Sequence, residues 1–189
     1  MANLESSRTV TRKMPAPSPN DALARDIAYT IGASELGQVL VARSADGICA
    51  ILIDADPDTL KADLAERFSG QVSGSDDIRL KDDLAQVVRA IAAPRESLDL
   101  KLDLRGTPFQ RRVWAALRAI PAGETVTYSE LARRIGVPSA VRAVASACAS
   151  NAIALAVPCH RVIRSDGSLS GYRWGVERKR TLIAKEALS

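Results

Sequence analysis

The segment AVPCHRVIRSDGSLSGYRWG, residues 156–175, sets Cys159 beside His160, the only histidine in the chain. A thiol with an ordinary pKa of about 8.5 is only a few per cent thiolate at neutral pH, so a nucleophilic cysteine needs a base or a positive field nearby. Adjacency alone does not supply one. Consecutive side chains in extended backbone point to opposite faces, so a proton passing between the two would travel through a water molecule or a bend. A further acid–base partner stands near the C-terminus, where ERKRTLIAKEAL reads as a helix with Leu182, Ile183 and Glu186 on one inward face. A carboxylate there needs a partner. His160 would complete a Cys159, His160, Glu186 chain by the logic of catalytic triads; one of several arginines would make a structural ion pair instead.

Short helices must position these groups. Thr107 is a candidate N-cap with Pro108 at the first helical position, and Phe109, Val113, Trp114 and Leu117 form one apolar stripe. PAGE turns the chain, Ser129 is read as the cap of ELARRI, Gly136 ends that helix, and Ser139 is read as the cap of AVRAVASACAS. Two short helices joined by a glycine-containing turn have the form of a helix-turn-helix. From Ala140 to Ser150, however, every residue except Arg142 is Ala, Val, Ser or Cys, which leaves little to read base edges in a major groove. Such a slender helix suits the minor groove, about 6 Å wide, with Arg142 entering the base stack or neutralising phosphate. An alanine-rich core helix with one solvated arginine is the alternative. Cys148 on this helix reads as packing.

Upstream, IAYTIGAS, GQVLVARS and GICAILIDAD alternate as three strands of an antiparallel meander, with turns near Leu36-Gly37 and Ala45-Asp46-Gly47. Asp56-Pro57-Asp58 opens a helix carrying Leu60, Leu64 and Phe68, SGQVSGSDD reads as a loop, and DDLAQVVRAIAAP gives a second helix stopped by Pro94. LDLKLDLRGTP breaks at Gly106 and marks a boundary between about Ser97 and Thr107. The expected organisation is a disordered leader over 1–24, an α/β scaffold domain over 25–98 and a functional domain over 104–189. Residues 1–103 carry 12 Lys/Arg against 17 Asp/Glu, and residues 104–189 carry 14 against 5. A basic module joined to a mildly acidic one fits an anionic partner such as nucleic acid. Three cysteines without CxxC spacing argue against a disulfide framework or a cysteine zinc site, and no apolar run approaches a signal peptide or membrane span. A cytoplasmic location is expected.

TPFQRRVWAALRAIPAGETVTYSELARRIG, AVRAVASACASN, VPCHRV and DGSLSGYRWGVERKRTLIAKEA together resemble the O6-alkylguanine-DNA alkyltransferases. The likeness runs from roughly Ala28 to Leu188 and is densest after Gly106. It implies a ribonuclease-H-like α/β domain with a small antiparallel sheet and helices, followed by a mainly α, winged-helix-like domain bearing the helix-turn-helix. It also implies direct repair: Cys159 takes a methyl or small alkyl group from O6 of guanine, or from O4 of thymine, flipped out of duplex DNA. By the same resemblance His160, acting through water and held by Glu186, generates the thiolate, while Tyr128 hydrogen-bonds the flipped base. Arg142 fills the vacated stack, with Ser139 and Ala143 on the same DNA-binding surface. Asn151 braces the turn leading to the active-site strand, and Gly171, Tyr172, Arg173 and Trp174 line the base pocket. Arg173 and Trp174 are bulky where some relatives carry small residues, which bears on large O6 substituents.

A thioether offers no route back to the thiol, so each molecule should act once, as a monomer on double-stranded alkylated DNA. Neither a metal nor a cofactor is expected: the cysteines that hold zinc in some relatives have no counterpart, and no nucleotide-binding fingerprint is present. Two other classes make distinct predictions. A DNA-binding module would bind the lesion without capturing the alkyl group, and a cysteine hydrolase or redox enzyme would turn over repeatedly.

Overall fold

In the computed structural model, the described residues are 27–68, 72–96, 98–169 and 171–188, so the leader expected over 1–24 lies outside them. Strands β1 (Ile27–Ser34), β2 (Gly37–Arg43) and β3 (Ile48–Asp54) form the expected antiparallel meander. Helix α1 (Pro57–Phe68) leads to β4 (Val72–Gly74), which pairs parallel to β1 and makes the sheet mixed, in the order β3-β2-β1-β4. The segment read as a loop thus contains a strand. Three residues, two of them Ser73 and Gly74, carry too little periodicity to register, and pairing with β1 decides the matter.

Val39 to Ala42 and Ile48 to Ile53 are buried at every position. Because strand neighbours face opposite ways, both faces of the sheet are covered there. Helix α2 (Ile78–Ala92) packs on β1 and β2, while α1 packs on β2 and β3. It starts four residues before the expected Asp82, because the Asp77 carboxylate accepts from Arg79 N at 2.8 Å and caps it.

The outer edge of β3 is what ties the two halves together. Ile48 N donates to Lys101 O at 2.8 Å and Asp103 N to Ile48 O at 2.8 Å, bringing the linker alongside. Further along, Ile51 N donates to Ala152 O at 2.9 Å and Ala154 N to Ile51 O at 3.0 Å. The segment approaching Cys159 is therefore laid onto the scaffold sheet by backbone bonds that also protect its edge.

The C-terminal half holds α3 (Pro108–Arg118), β5 (Val126–Thr127), α4 (Tyr128–Arg134), α5 (Val141–Ala149), a 3₁₀ turn (Cys159–Arg161), β6 (Val162–Ile163) and α6 (Val176–Leu188). Strands β5 and β6 pair in parallel. Thr107 caps α3 as expected, through a reciprocal capping box with Gln110. Two expected caps are corrected. Thr127, not Ser129, caps α4: its hydroxyl accepts from Glu130 N at 3.1 Å while Glu130 Oε2 accepts from Thr127 N at 2.7 Å. Thr-Tyr-Ser-Glu holds the box spacing, which leaves Ser129 exposed inside the helix. Ser139 does not cap α5 either; Ala140 is its N-cap residue, without a side-chain bond. Gly136 ends α4 at φ +73°, and Trp114 Nε1 donates to Ala147 O at 2.8 Å, fixing α5 on α3.

Thr127→Ala removes one half of the box while Glu130 stays in place. It should lower unfolding free energy by about 1 kcal/mol in urea titration, whereas Ser129→Ala should leave the midpoint unchanged. Equal effects at the two positions would contradict the cap assignment.

Candidate active site

Cys159 opens the 3₁₀ turn rather than lying on a strand, and is only 7% exposed. It is placed by a tight reversal over residues 151–157, in which Leu155 adopts φ +66°, a left-handed conformation uncommon for a residue with a side chain. Asn151, itself buried, holds the reversal together. Its Nδ2 donates to Val157 O at 2.8 Å and to Ile153 O at 3.3 Å, and its Oδ1 accepts from Ile153 N at 2.9 Å. The same Nδ2 lies 3.3 Å from Cys159 Sγ and can donate to it. Asn151 thus braces the turn, as expected, and also touches the sulfur.

His160 is buried, and its Nε2 lies 2.9 Å from Glu186 Oε1 on α6. An ionised carboxylate only accepts, so Nε2 carries the hydrogen; Nδ1, also buried, has no protein partner. Burial lowers the imidazole pKa, against the pull of Glu186, and keeps the ring neutral. Arg161 joins the same carboxylate: Nε lies 3.0 Å from Oε2, Nη2 lies 2.9 Å from Oε1, and Nη1 donates to Ile120 O at 2.6 Å. Both partners left open by the sequence are therefore present at once. Burial pushes the Glu186 pKa up, but hydrogen bonds from His160, Arg161 and Gly123 N outweigh it and hold the group at about 2.

Burial pushes the Cys159 thiol up to about 11, opposed by the Asn151 amide and the charge of Lys179. Lys179 was not singled out in the sequence. Its side chain on α6 is fully buried, and Nζ donates to Val162 O at 2.5 Å. Burial lowers its pKa, while Cys159 and Cys148 favour its charged form. The signal was available: Lys179 lies three residues before Leu182 and seven before Glu186, on the same helical face.

Tyr128 begins α4, half-buried, with its hydroxyl pushed up to about 12 by burial and the neighbouring thiols. Across from it, a Cβ on Gly171 would sit 4.0 Å from the Tyr128 hydroxyl, and Gly171 has φ +53°. Tyr172 and Trp174 turn inward and are buried; Tyr172 stacks edge-on with His160 at 6.4 Å and with Trp174 at 5.1 Å between centroids. The Tyr172 hydroxyl and Trp174 Nε1 are buried without a protein partner. Arg173, expected to line the pocket with them, instead turns outward and pairs with Asp63 on α1, because its two neighbours take the inward positions. On the outer surface, Ser139, Arg142 and Ala143 are all exposed, as are Arg111, Arg112, Arg133, Arg134 and Arg164. Among the described residues, no group of three or more His, Cys, Asp or Glu is placed to hold a metal ion.

The site joins a buried thiol bonded by the Asn151 amide to a neighbouring His160–Glu186 pair, in a helical domain whose approach to the thiol is paired with a small mixed sheet. The chain belongs to the 6-O-methylguanine DNA methyltransferase family: that family's ribonuclease-like domain matches residues 27–104 and its DNA-binding domain matches residues 108–188. It is 50% identical over 161 residues to the bifunctional transcriptional activator/DNA repair enzyme Ada of Escherichia coli, covering 85% of this chain and 46% of that protein. To a methylated-DNA–protein-cysteine methyltransferase of Mycolicibacterium paratuberculosis it is 58% identical over 88 residues, covering 47% of this chain and 53% of the relative. The chain thus spans about half the length of these curated relatives. The crystal structure of Mycobacterium tuberculosis OGT in complex with DNA superposes with a TM-score of 0.70 at 35% identity, covering 85% of this chain and 92% of the other. Among the described residues, no helix is long and apolar enough to cross a membrane.

Because the Glu186 pKa is lowered by folding, its stabilising effect is complete above pH 4.5 and fades as pH falls towards 2. Wild type should therefore lose stability in denaturant titrations between about pH 4.5 and pH 2 more steeply than Glu186→Gln. Parallel curves would show that Glu186 is not the ionised centre of this cluster.

Proposed function

We propose that this chain repairs alkylated DNA by transferring a methyl or other small alkyl group from O6 of guanine, and from O4 of thymine, to Cys159, once per molecule. The observation that carries this reading is a buried thiol followed directly in the chain by a buried, neutral imidazole whose Nε2 is bonded to an ionised carboxylate and whose Nδ1 has no protein partner. Family membership and the DNA complex of the OGT relative supply the substrate class.

In the proposed reaction the damaged nucleotide is flipped from the duplex into the space between Tyr128 and the Gly171–Gly175 loop, at a cost of a few kcal/mol that is smaller where pairing is already impaired. Arg142 takes the vacated place in the stack, with Ser139 and Ala143 against the minor groove. The alanine-rich exposed face of α5 supports close approach to a backbone without reading sequence. The thiol proton passes through a water molecule to His160 Nδ1, and Glu186 stabilises the imidazolium. The sulfur lone pair then attacks the alkyl carbon in line, the C–O6 bond breaks, and its electron pair leaves with the purine. Tyr128, still protonated at neutral pH, passes its proton to the departing base, and the proton taken up by His160 returns to the tyrosinate through water, leaving neutral guanine, neutral imidazole and a thioether. The Asn151 amide and Lys179 stabilise the thiolate as it forms. Burial keeps the resting thiol protonated, so solvent electrophiles meet a poor nucleophile.

Duplex carrying O6-guanine methyl label should place label on Cys159 up to a plateau of one per protein, and Cys159→Ser should bind the same duplex without taking label. Loss of the lesion without label on Cys159, or repeated turnover, would reject the reading. Arg142→Ala should slow repair of duplex at least about tenfold while sparing attack on the free modified base, since a few kcal/mol of flipping free energy is then unsupported. Equal losses in both assays would remove Arg142 from the flipping step.

A further inference from the structure

The loop Gly171–Gly175 belongs to the C-terminal half, yet its apex is fastened to the other one. Tyr172 and Trp174 are buried and face inward, so Arg173, between them, projects outward to Asp63 on α1. Asp63 also accepts from Arg67 Nε at 3.0 Å, one turn further along α1, so a single carboxylate joins two guanidinium groups. Burial lowers the Arg67 pKa, the charge of Asp63 raises it, and Arg173 lowers it again. The three charges form one connected unit. Where α1 faces the loop there is a cleft of about 430 Å³ bordered by Leu60, Asp63, Arg173 and Trp174. Contact at the apex is thus ionic where close apolar packing is incomplete. The far end of the loop is tied separately: Arg178 Nη1 donates to Trp174 O at 2.7 Å and Nε to Leu36 O at 2.7 Å.

We propose that Asp63, a residue of the scaffold domain, sets the width of the base pocket by holding Arg173 and thereby fixing the inward facing of Tyr172 and Trp174. The inference rests on the reading that this loop borders the alkylated base. Tyr172 to Gly175 close a turn, Gly175 N donating to Tyr172 O at 3.0 Å, so swinging residue 173 away from α1 shifts the buried residues on either side of it within that turn. Removing the Asp63 charge leaves two arginines facing each other, so repulsion drives the apex outward rather than merely loosening it. Asp63 is a positioning residue that touches no substrate, and its effect falls on which O6 substituents are accepted.

The test compares second-order rate constants for methyl transfer from O6-methylguanine duplex and for benzyl transfer from free O6-benzylguanine, using the whole chain. Asp63→Asn should raise the benzyl-to-methyl ratio about threefold or more, as expected for losing the partly exposed ion pair that holds Arg173 along with the pair to Arg67. Asp63→Glu should keep the wild-type ratio, and the exchange Asp63→Arg with Arg173→Asp should restore it from the altered value of either single change. Asp58→Asn, which breaks the exposed Asp58 to Lys61 pair on the same helix, should leave the ratio unchanged. A fall in both rates by one common factor, with a lowered melting temperature, would reduce Asp63 to a structural role and overturn the proposal. So would an unchanged ratio in Asp63→Asn alongside a changed one in Arg173→Ala. Failure of wild type to take up label on Cys159 would instead reject the underlying reading of the site.

Discussion

The Glu186 carboxylate is buried and negatively charged, and much of the C-terminal half is arranged around that fact. Burying an ionised carboxylate is unfavourable by several kcal/mol unless its oxygens are matched by donors. The donors here come from separate places: His160 and Arg161 from the 3₁₀ turn, and Gly123 from the PAGE turn, with Arg95 of the scaffold domain donating from Nε to the Glu186 backbone oxygen at 2.7 Å. Satisfying one side chain therefore fixes the docking of α6 on the PAGE turn and on the turn carrying Cys159, and the backbone oxygen of the same residue ties in the segment after α2. It also fixes the tautomer of His160, since only Nε2–H can meet an ionised Oε1.

The electrostatics of the sulfur follow from the same packing. A thiol at about 11 beside an imidazole whose pKa is lowered by burial is a pair in which neither group is charged at neutral pH. The positive influences on the sulfur, the Asn151 amide and Lys179, are preorganised and need no rearrangement when a thiolate forms. In the proposed reaction the cost of charge separation is met only while a base fills the pocket and excludes water. The scaffold sheet contributes by backbone pairing: β3 takes Ala152 and Ala154 onto its edge and so sets the starting point of the reversal that ends at Cys159.

Much of this was legible in the sequence where a local rule and the tertiary outcome coincide. The three-stranded meander, the Thr107 cap, the Gly136 stop and the inward face of Glu186 all follow from spacing alone. The Thr127 cap was equally local, since Thr-x-x-Glu is the box signature, but Ser129 stood nearer the apolar run and drew the assignment. Strand β4 was not legible, because three residues gain their conformation only by pairing with β1. The choice between His160 and an arginine at Glu186 could not be made, because two carboxylate oxygens accommodate both and helical periodicity gives direction without partners. Lys179 shows the opposite failure: its position on the buried face was plain, yet lysine is expected to reach solvent, and only its burial with Nζ donating to Val162 O reveals that it does not. Arg173 could be assigned to the loop but not to Asp63, which lies 110 residues earlier in the chain.

Thiolate formation in the proposed reaction turns on His160 being a neutral base with its free nitrogen available to the thiol proton. Because the chain has a single histidine, nitrogen-15 NMR of the imidazole reports on it without ambiguity. At neutral pH the ring should show one neutral tautomer, protonated at Nε2 and unprotonated at Nδ1, with titration displaced below the ordinary value of 6.5. A ring protonated at both nitrogens at neutral pH, or carrying its hydrogen on Nδ1, would contradict it.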